Sequence, residues 1–150
     1  MSDSPQPRPL PTRPLFEDVP PERRRVMAAV TSKNTAPEMR VRRLLHGMGY
    51  RFRLHRRDLP GTPDIVLPGR RKVIEVRGCF WHHHPDPACR NATLPRTRAD
   101  WWAEKLARNV ERDARNLAAL QAQYWSVLVL WECEMKDDAT LISRLRSFLA

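Results

Sequence analysis

The chain has 150 residues, 41% of them hydrophobic, which allows one domain of ordinary size with its own core. Its 27 Lys+Arg against 17 Asp+Glu leave a formal charge of +10, which points to a polyanionic partner. No apolar run approaches the ~18–20 residues of a membrane span, and residues 1–30 hold no apolar h-region, so neither a membrane partner nor a secretory signal is expected.

Seven of the 14 prolines fall at Pro5, Pro7, Pro9, Pro11, Pro14, Pro20 and Pro21, so residues 1–21 read as a disordered arm and the folded domain as residues 22–150. Thr35-Ala36-Pro37-Glu38 predicts a helix start, with Thr35 as cap, Pro37 in the first turn and Glu38 completing a capping box. Val41, Leu44, Leu45 and Met48 follow at helical spacing, and Gly49 ends the helix. Phe52 and Leu54, alternating with Arg51, Arg53 and His55, predict a half-buried strand. The turn Pro60-Gly61-Thr62-Pro63 leads into a strand over 64–67, and Pro68-Gly69 turns into another over 72–76. A long helix is expected over 99–122, a buried strand over 126–131, and an amphipathic helix carrying Leu141, Ile142, Leu145, Phe148 and Leu149. Three strands, a crossover helix and a fourth strand imply an α/β fold with a mixed sheet flanked by helices.

Asp64 opens one strand and Glu75 lies near the end of the next, so a hairpin can bring the two carboxylates to one sheet edge. Close carboxylates repel, and a divalent cation such as magnesium keeps both ionised. The plainer alternative is that Asp64 caps the turn after Pro63 while Glu75 pairs with an arginine. Pro63-Asp64, ten residues, then Glu75-Val76-Arg77 resembles the PD-(D/E)xK nuclease signature with Arg in the Lys position, and the element order resembles that superfamily's αβββαβ core.

Cys79, His82, His83, His84, Cys89 and the distant Cys133 suggest a second metal site. Cys79, His84 and Cys89 leave one vacancy in a tetrahedral zinc site, which Cys133 can fill. Free thiols beside a surface histidine run are the alternative, and the spacing does not single out one histidine. Three cysteines without a secretory signal argue against a disulfide framework. Phe80, Trp81, Trp101 and Trp102 add aromatics that can wedge between base pairs, with core packing expected for at least one of Trp101 and Trp102. Trp125 and Trp131 read as core.

Thr31-Ser32-Lys33-Asn34-Thr35, Pro60-Gly61-Thr62-Pro63-Asp64, Gly78-Cys79-Phe80-Trp81-His82, Asn109-Val110-Glu111-Arg112-Asp113 and Trp131-Glu132-Cys133 stand in one order. Together they resemble the very short patch repair (Vsr) DNA mismatch endonucleases over about residues 22–136. The resemblance implies a magnesium-dependent enzyme that nicks one DNA strand 5′ to the thymine of a T:G mismatch left by 5-methylcytosine deamination. It implies magnesium held by the Asp64 carboxylate and the Val76 carbonyl, with Glu38 and His82 as further catalytic side chains. It also implies Phe80, Trp81 and Trp102 as DNA-intercalating residues and Cys79, His84, Cys89 and Cys133 as structural zinc ligands. A monomer in the bacterial cytoplasm, working on nucleoid DNA beside other mismatch-repair proteins, is the matching setting. Where that family usually has an apolar residue and a His, this chain has Glu75 and Arg77. Either Glu75 serves as an added magnesium ligand with Arg77 in the Lys role, or cleavage is weakened and a mismatch binder remains. A site- or structure-specific nuclease without T:G preference is the other enzymatic alternative.

Overall fold

A capped helix, α1 (Ala36–Gly47), begins the part of the chain that the computed structural model describes, residues 34–150. The proline-rich arm expected over residues 1–21 and the domain start at Glu22 lie outside the described residues. Thr35 Oγ1 accepts the Glu38 N–H at 3.3 Å, and Pro37 sits in the first turn where a missing N–H costs nothing. Only half of the expected capping box forms. The Glu38 carboxylate does not return to the cap backbone but is held by His55 and Arg42. The helix leaves through Gly49, at φ +87°.

The sheet follows as β1 (Arg53–Leu54), β2 (Ile65–Leu67) and β3 (Lys72–Arg77), then the crossover helix α2 (Ala99–Ala122) and β4 (Ser126–Trp131). Helix α3 (Asp138–Leu149) packs last. Strand order is β1-β2-β3-β4, antiparallel at the first two pairings and parallel at the third. This is the expected mixed sheet. A parallel step needs a long connection, and the 24-residue α2 is part of it. β1 is shorter than the alternation suggests, because His55 leaves the strand at φ +47°.

Alternation along the strands divides the core between the two faces. Ile65, Leu67, Ile74 and Leu130 pack with Val41 and Leu45 of α1 and with Leu141, Leu145 and Leu149 of α3. Val66 and Val73 face the other way, onto Leu120 of α2, Leu59 and Trp125. Each such side chain contributes about 1.5–3 kcal/mol by leaving water, so a one-residue slip of β2 would exchange both faces at prohibitive cost. The register is therefore firm: Ile65 opposes Ile74, and Arg77 opposes Trp131. The start of β2 and the C-terminal ends of β3 and β4 consequently meet at one edge of the sheet. Among the described residues no helix is long and apolar enough to cross a membrane.

Gly61 sets the approach to that edge. It stands at φ +74°, and a Cβ there would lie 2.8–3.0 Å from three side-chain atoms of Asn116 on α2. Gly61→Ala should therefore destabilise by about 2 kcal/mol or more, from left-handed strain and overpacking together. Gly69→Ala, where nothing lies within 4 Å, should stay within about 0.5 kcal/mol. Urea denaturation of both variants checks the contrast.

Candidate active site and metal centre

Asp64 immediately precedes β2, and its Oδ2 accepts the Val76 N–H of β3 at 2.9 Å. In an extended strand the N–H and C=O of one residue point to the same side, so the Val76 carbonyl shares the Asp64 side of β3. The other donors gathered there are Glu38 and His55; with Asp64, their ligand atoms lie within 4.8 Å of one another. Glu38, 1% exposed, is fixed from two sides: His55 Nε2 lies 2.9 Å from Oε1, and Arg42 Nη1 donates to Oε2 at 3.3 Å. Alternation with Phe52 and Leu54 predicts His55 on the outer face of its strand. Its positive φ turns it inward instead.

Glu75 opposes Asp64 by continuation of the β2–β3 register, yet its carboxylate takes a different partner. Arg77, two residues along the same strand face, donates from Nη2 to Glu75 Oε2 at 2.7 Å and lies over the Trp131 ring. Both side chains are largely covered. The arginine pairing weighed as an alternative for Glu75 is thus present, while Asp64 finds no cation among the described residues. Burial pushes Asp64 up to about 7 against the help of the Val76 N–H, and the negative charges of Glu38 and Glu75 add to the rise. A buried carboxylate beside two others, lacking a cation, has the donor chemistry that a hard divalent ion satisfies.

Two side chains on one face of α2 organise the loop after β3. Asn109 Nδ2 donates to the Trp81 carbonyl at 3.0 Å, and four residues on Asp113 Oδ2 lies 2.6 Å from His82 Nδ1. Burial opposes ionisation of Asp113, but the His82 hydrogen bond and the charges of His82, Arg77 and Arg112 outweigh it and hold the carboxyl below its usual range. The Asp113 carboxylate thereby fixes the His82 ring through one nitrogen and leaves Nε2 as the other. Nothing in the sequence pattern marks Asp113 beyond its i, i+4 spacing from Asn109, which puts both on one helix face.

Phe80, Trp81 and Trp102 form one edge-to-face cluster, with ring centroids 5.1, 5.3 and 5.8 Å apart. Trp102 is buried, as core packing required of one of the pair, and Trp101 packs edge-on against it. The Phe80-Trp81 pair therefore rests on a helical floor next to the Asp64 edge.

Behind the loop, Cys79, His84, Cys89 and Cys133 bring one ligand atom each within 4.8 Å of the others. The β3–β4 register explains the long-range partner, because Cys79 and Cys133 each follow the paired Arg77 and Trp131 by two residues. Of the three histidines, His84 is the one gathered with the thiols. Its Nδ1 lies 3.4 Å from Cys133 Sγ, its Nε2 lies 3.8 Å from Glu134, and its ring stacks on Trp131 at 4.2 Å. Trp131 is therefore only partly core; one face supports this histidine. Burial pushes the Cys79 thiol up to about 12 and raises Cys133, whereas the hydrogen bond from His84 lowers Cys89 to about 7. Three sulfurs and an imidazole without a disulfide match the soft, closed donor set of zinc.

Residues 18–88 match the family profile described as DNA mismatch endonuclease Vsr. The type II nicking enzyme V.XorIIP of Xanthomonas oryzae pv. oryzae (strain KACC10331 / KXO85) is 57% identical over 86% of this chain and 93% of its own. The DNA mismatch endonuclease Vsr of Escherichia coli (strain K12) is 41% identical over 82% of this chain and 80% of its own. The type II nicking enzyme V.NmeAIP of Neisseria meningitidis (serogroup A / serotype 4A, strain DSM 15465 / Z2491) is 39% identical over 80% and 84%. Likeness of that degree across most of both chains, over a site of this geometry, makes the protein a DNA endonuclease of the Vsr family.

Proposed function

We propose that the protein is a magnesium-dependent endonuclease that nicks one strand of duplex DNA 5′ to the thymine of a T:G mismatch, as a monomer in the bacterial cytoplasm. The observation that carries this reading is Asp64, half-buried beside Glu38 and Glu75 and without a cation among the described residues. Its carboxylate and the Val76 carbonyl would hold magnesium. When bound there, such an ion polarises a phosphodiester and lowers the pKa of an attacking water. Glu38 faces the same place with its orientation fixed by two partners. His82, held by Asp113 through Nδ1, presents Nε2 as the atom that handles a proton. Arg77 stays charged at any working pH and offers positive charge for the scissile phosphate, while its bond to Glu75 keeps that carboxylate close to Asp64.

Recognition rests on Phe80 and Trp81, which would enter the base stack beside a mismatch already weakened in pairing, while Trp102, expected from the resemblance to join them, is buried beneath the pair and would support it. Cys79, His84, Cys89 and Cys133 would hold zinc and anchor the loop carrying two of these rings. Three relatives that are nicking or mismatch endonucleases by name support cutting of a single strand in mismatch repair. The Glu75–Arg77 pair favours a second reading, a mismatch binder with impaired cleavage, because the arginine is already occupied. A nuclease of this fold without T:G preference is separated by substrate choice.

Wild type is expected to nick a labelled T:G duplex in magnesium while leaving its T:A parent intact. Asp64→Ala should lower nicking by at least about 10³-fold with DNA binding retained. A silent wild type with an active Arg77→His would establish the impaired reading. Equal cutting of both duplexes would remove the T:G assignment.

The charge at Asp64 also makes stability depend on pH and metal. Its folded pKa of about 7 exceeds the ordinary carboxylate value, so between pH 4 and 7 the folded form holds a proton that the unfolded form has released. Stability from this group is therefore full at low pH and falls as pH rises toward 7, by up to about 1.4 kcal/mol per unit. Thermal melts should show this slope in metal-free wild type, a flatter one in Asp64→Asn, and partial recovery near pH 7 on adding magnesium. Equal slopes for the two proteins would contradict the buried charge.

Zinc removal tests the second centre. A strong chelator should release about one zinc per chain, expose thiols to a colorimetric reagent and lower Tm on the order of 10 °C. A protein purified without zinc that melts unchanged after chelation would rule the centre out.

A further inference from the structure

The carboxylate site contains an imidazole whose role none of the preceding assignments explains. His55 follows β1 at φ +47°, a conformation in which a residue with a Cβ is strained and which glycine or asparagine fills more readily. Its backbone N–H donates to the Asp64 carbonyl at 3.0 Å, and its Nε2 lies 2.9 Å from Glu38 Oε1. One residue thus ties the start of β2 to the first turn of α1, the two elements that carry the carboxylates. The side chain is 14% exposed against 2% for that of Glu38. Oε1 faces His55, while the other oxygen takes the longer contact from Arg42. An acid buried this deeply keeps one orientation only while its oxygens are hydrogen-bonded.

We propose that His55 is a positioning residue of the nuclease site, its Nε2–H holding Glu38 Oε1 toward Asp64. The inference rests on the nuclease reading for Glu38 and Asp64, and His55 lies between the motifs over 31–35 and 60–64 and belongs to neither. Geometry explains both the residue type and the strain. A strand continuing through position 55 would send the side chain outward with Arg53, and only the left-handed turn brings a ring nitrogen to Glu38. Asparagine would suit that backbone better but is too short to span the gap. The remaining ring nitrogen needs no part in the role, so the essential feature is one N–H donor at the reach of Nε2. A glutamine side chain supplies such a donor and does not titrate.

The test compares His55→Ala and His55→Gln with wild type by nicking of the T:G duplex and, independently, by titration with Mn²⁺ alone followed by electron paramagnetic resonance. His55→Ala should lower kcat by about 10–100-fold and weaken Mn²⁺ binding several-fold, with KM for the duplex little changed. His55→Gln should recover most of both losses, and its pH–rate profile should keep the wild-type shape. Thermal melts confirm that both variants fold. If His55→Ala cuts and binds Mn²⁺ like wild type, or His55→Gln is as defective as His55→Ala, the proposal is overturned. If wild type itself does not nick, the nuclease reading fails, and the Mn²⁺ titrations still decide whether His55 orders the carboxylates.

Discussion

One hydrogen bond organises the reactive edge: the Val76 N–H of β3 donates to the carboxylate of Asp64 rather than to a backbone carbonyl. The ladder between β2 and β3 ends at Ile65 and Ile74, and the Asp64 side chain takes the next step. A carboxylate is thereby held at the end of a sheet without belonging to it. The core determines where this happens, since the opposing faces of Ile65 and Val66 allow no other register. Everything else at the edge is measured from that point. Glu38 reaches it from the first turn of α1, Glu75 stands across from it, and the aromatic loop leaves the same strand three residues later.

Charge is distributed unevenly around this point, and the distribution is informative. Glu38 has His55 and Arg42, Glu75 has Arg77, and Asp113 has His82 with Arg77 and Arg112 nearby. Asp64 has the Val76 N–H and the Glu38 carboxyl, and no cation among the described residues. A protein selected only for stability would give a largely covered acid such as Asp64 a counter-ion, because an isolated charge removed from water is costly. Here the surplus negative charge is concentrated where a cation from solution can neutralise it. The same logic, with sulfur in place of oxygen, applies behind the loop. Cys79 and Cys133 are costly to ionise in the metal-free chain, so these two thiols hold protons that a soft ion would displace.

Much of this was legible in the residues. Helices and strands fell within a few positions of their expected limits because Pro, Gly and periodic apolar residues mark them, and spacing and strand order brought the three cysteines together with the histidine run without singling out one histidine. What escaped depended on the backbone or on distant packing. Alternation placed His55 outward, since periodicity assumes a strand that continues, and nothing in Leu-His-Arg announces a positive φ. The capping box at Thr35 was half right for a related reason. A local motif says what Glu38 can do for its own helix, whereas a buried histidine 17 residues away offers a stronger partner. Selecting His84 from three adjacent histidines required knowing that Trp131 lies beside Arg77, which is a property of the sheet register.

The pairing of Glu75 with Arg77 shows how a nuclease edge can carry an extra acid and an extra base without changing its net charge. The two sit on one strand face, two residues apart, and their charges cancel locally. The Asp64 environment is then governed by Glu38 at hydrogen-bond range, with Glu75 a more distant influence. An arginine cannot accept a proton, so position 77 adds fixed positive charge to the edge and no titrating base. Two imidazoles remain within the site, each with a nitrogen committed to a carboxylate: His82 to Asp113 and His55 to Glu38. His82 is anchored to the helix behind the aromatic loop, whereas His55 is anchored to the acids themselves. The two imidazoles are thus tied to separate elements, His82 to α2 and His55 to the first turn of α1, and on the proposed reading only the first is free of the carboxylate cluster.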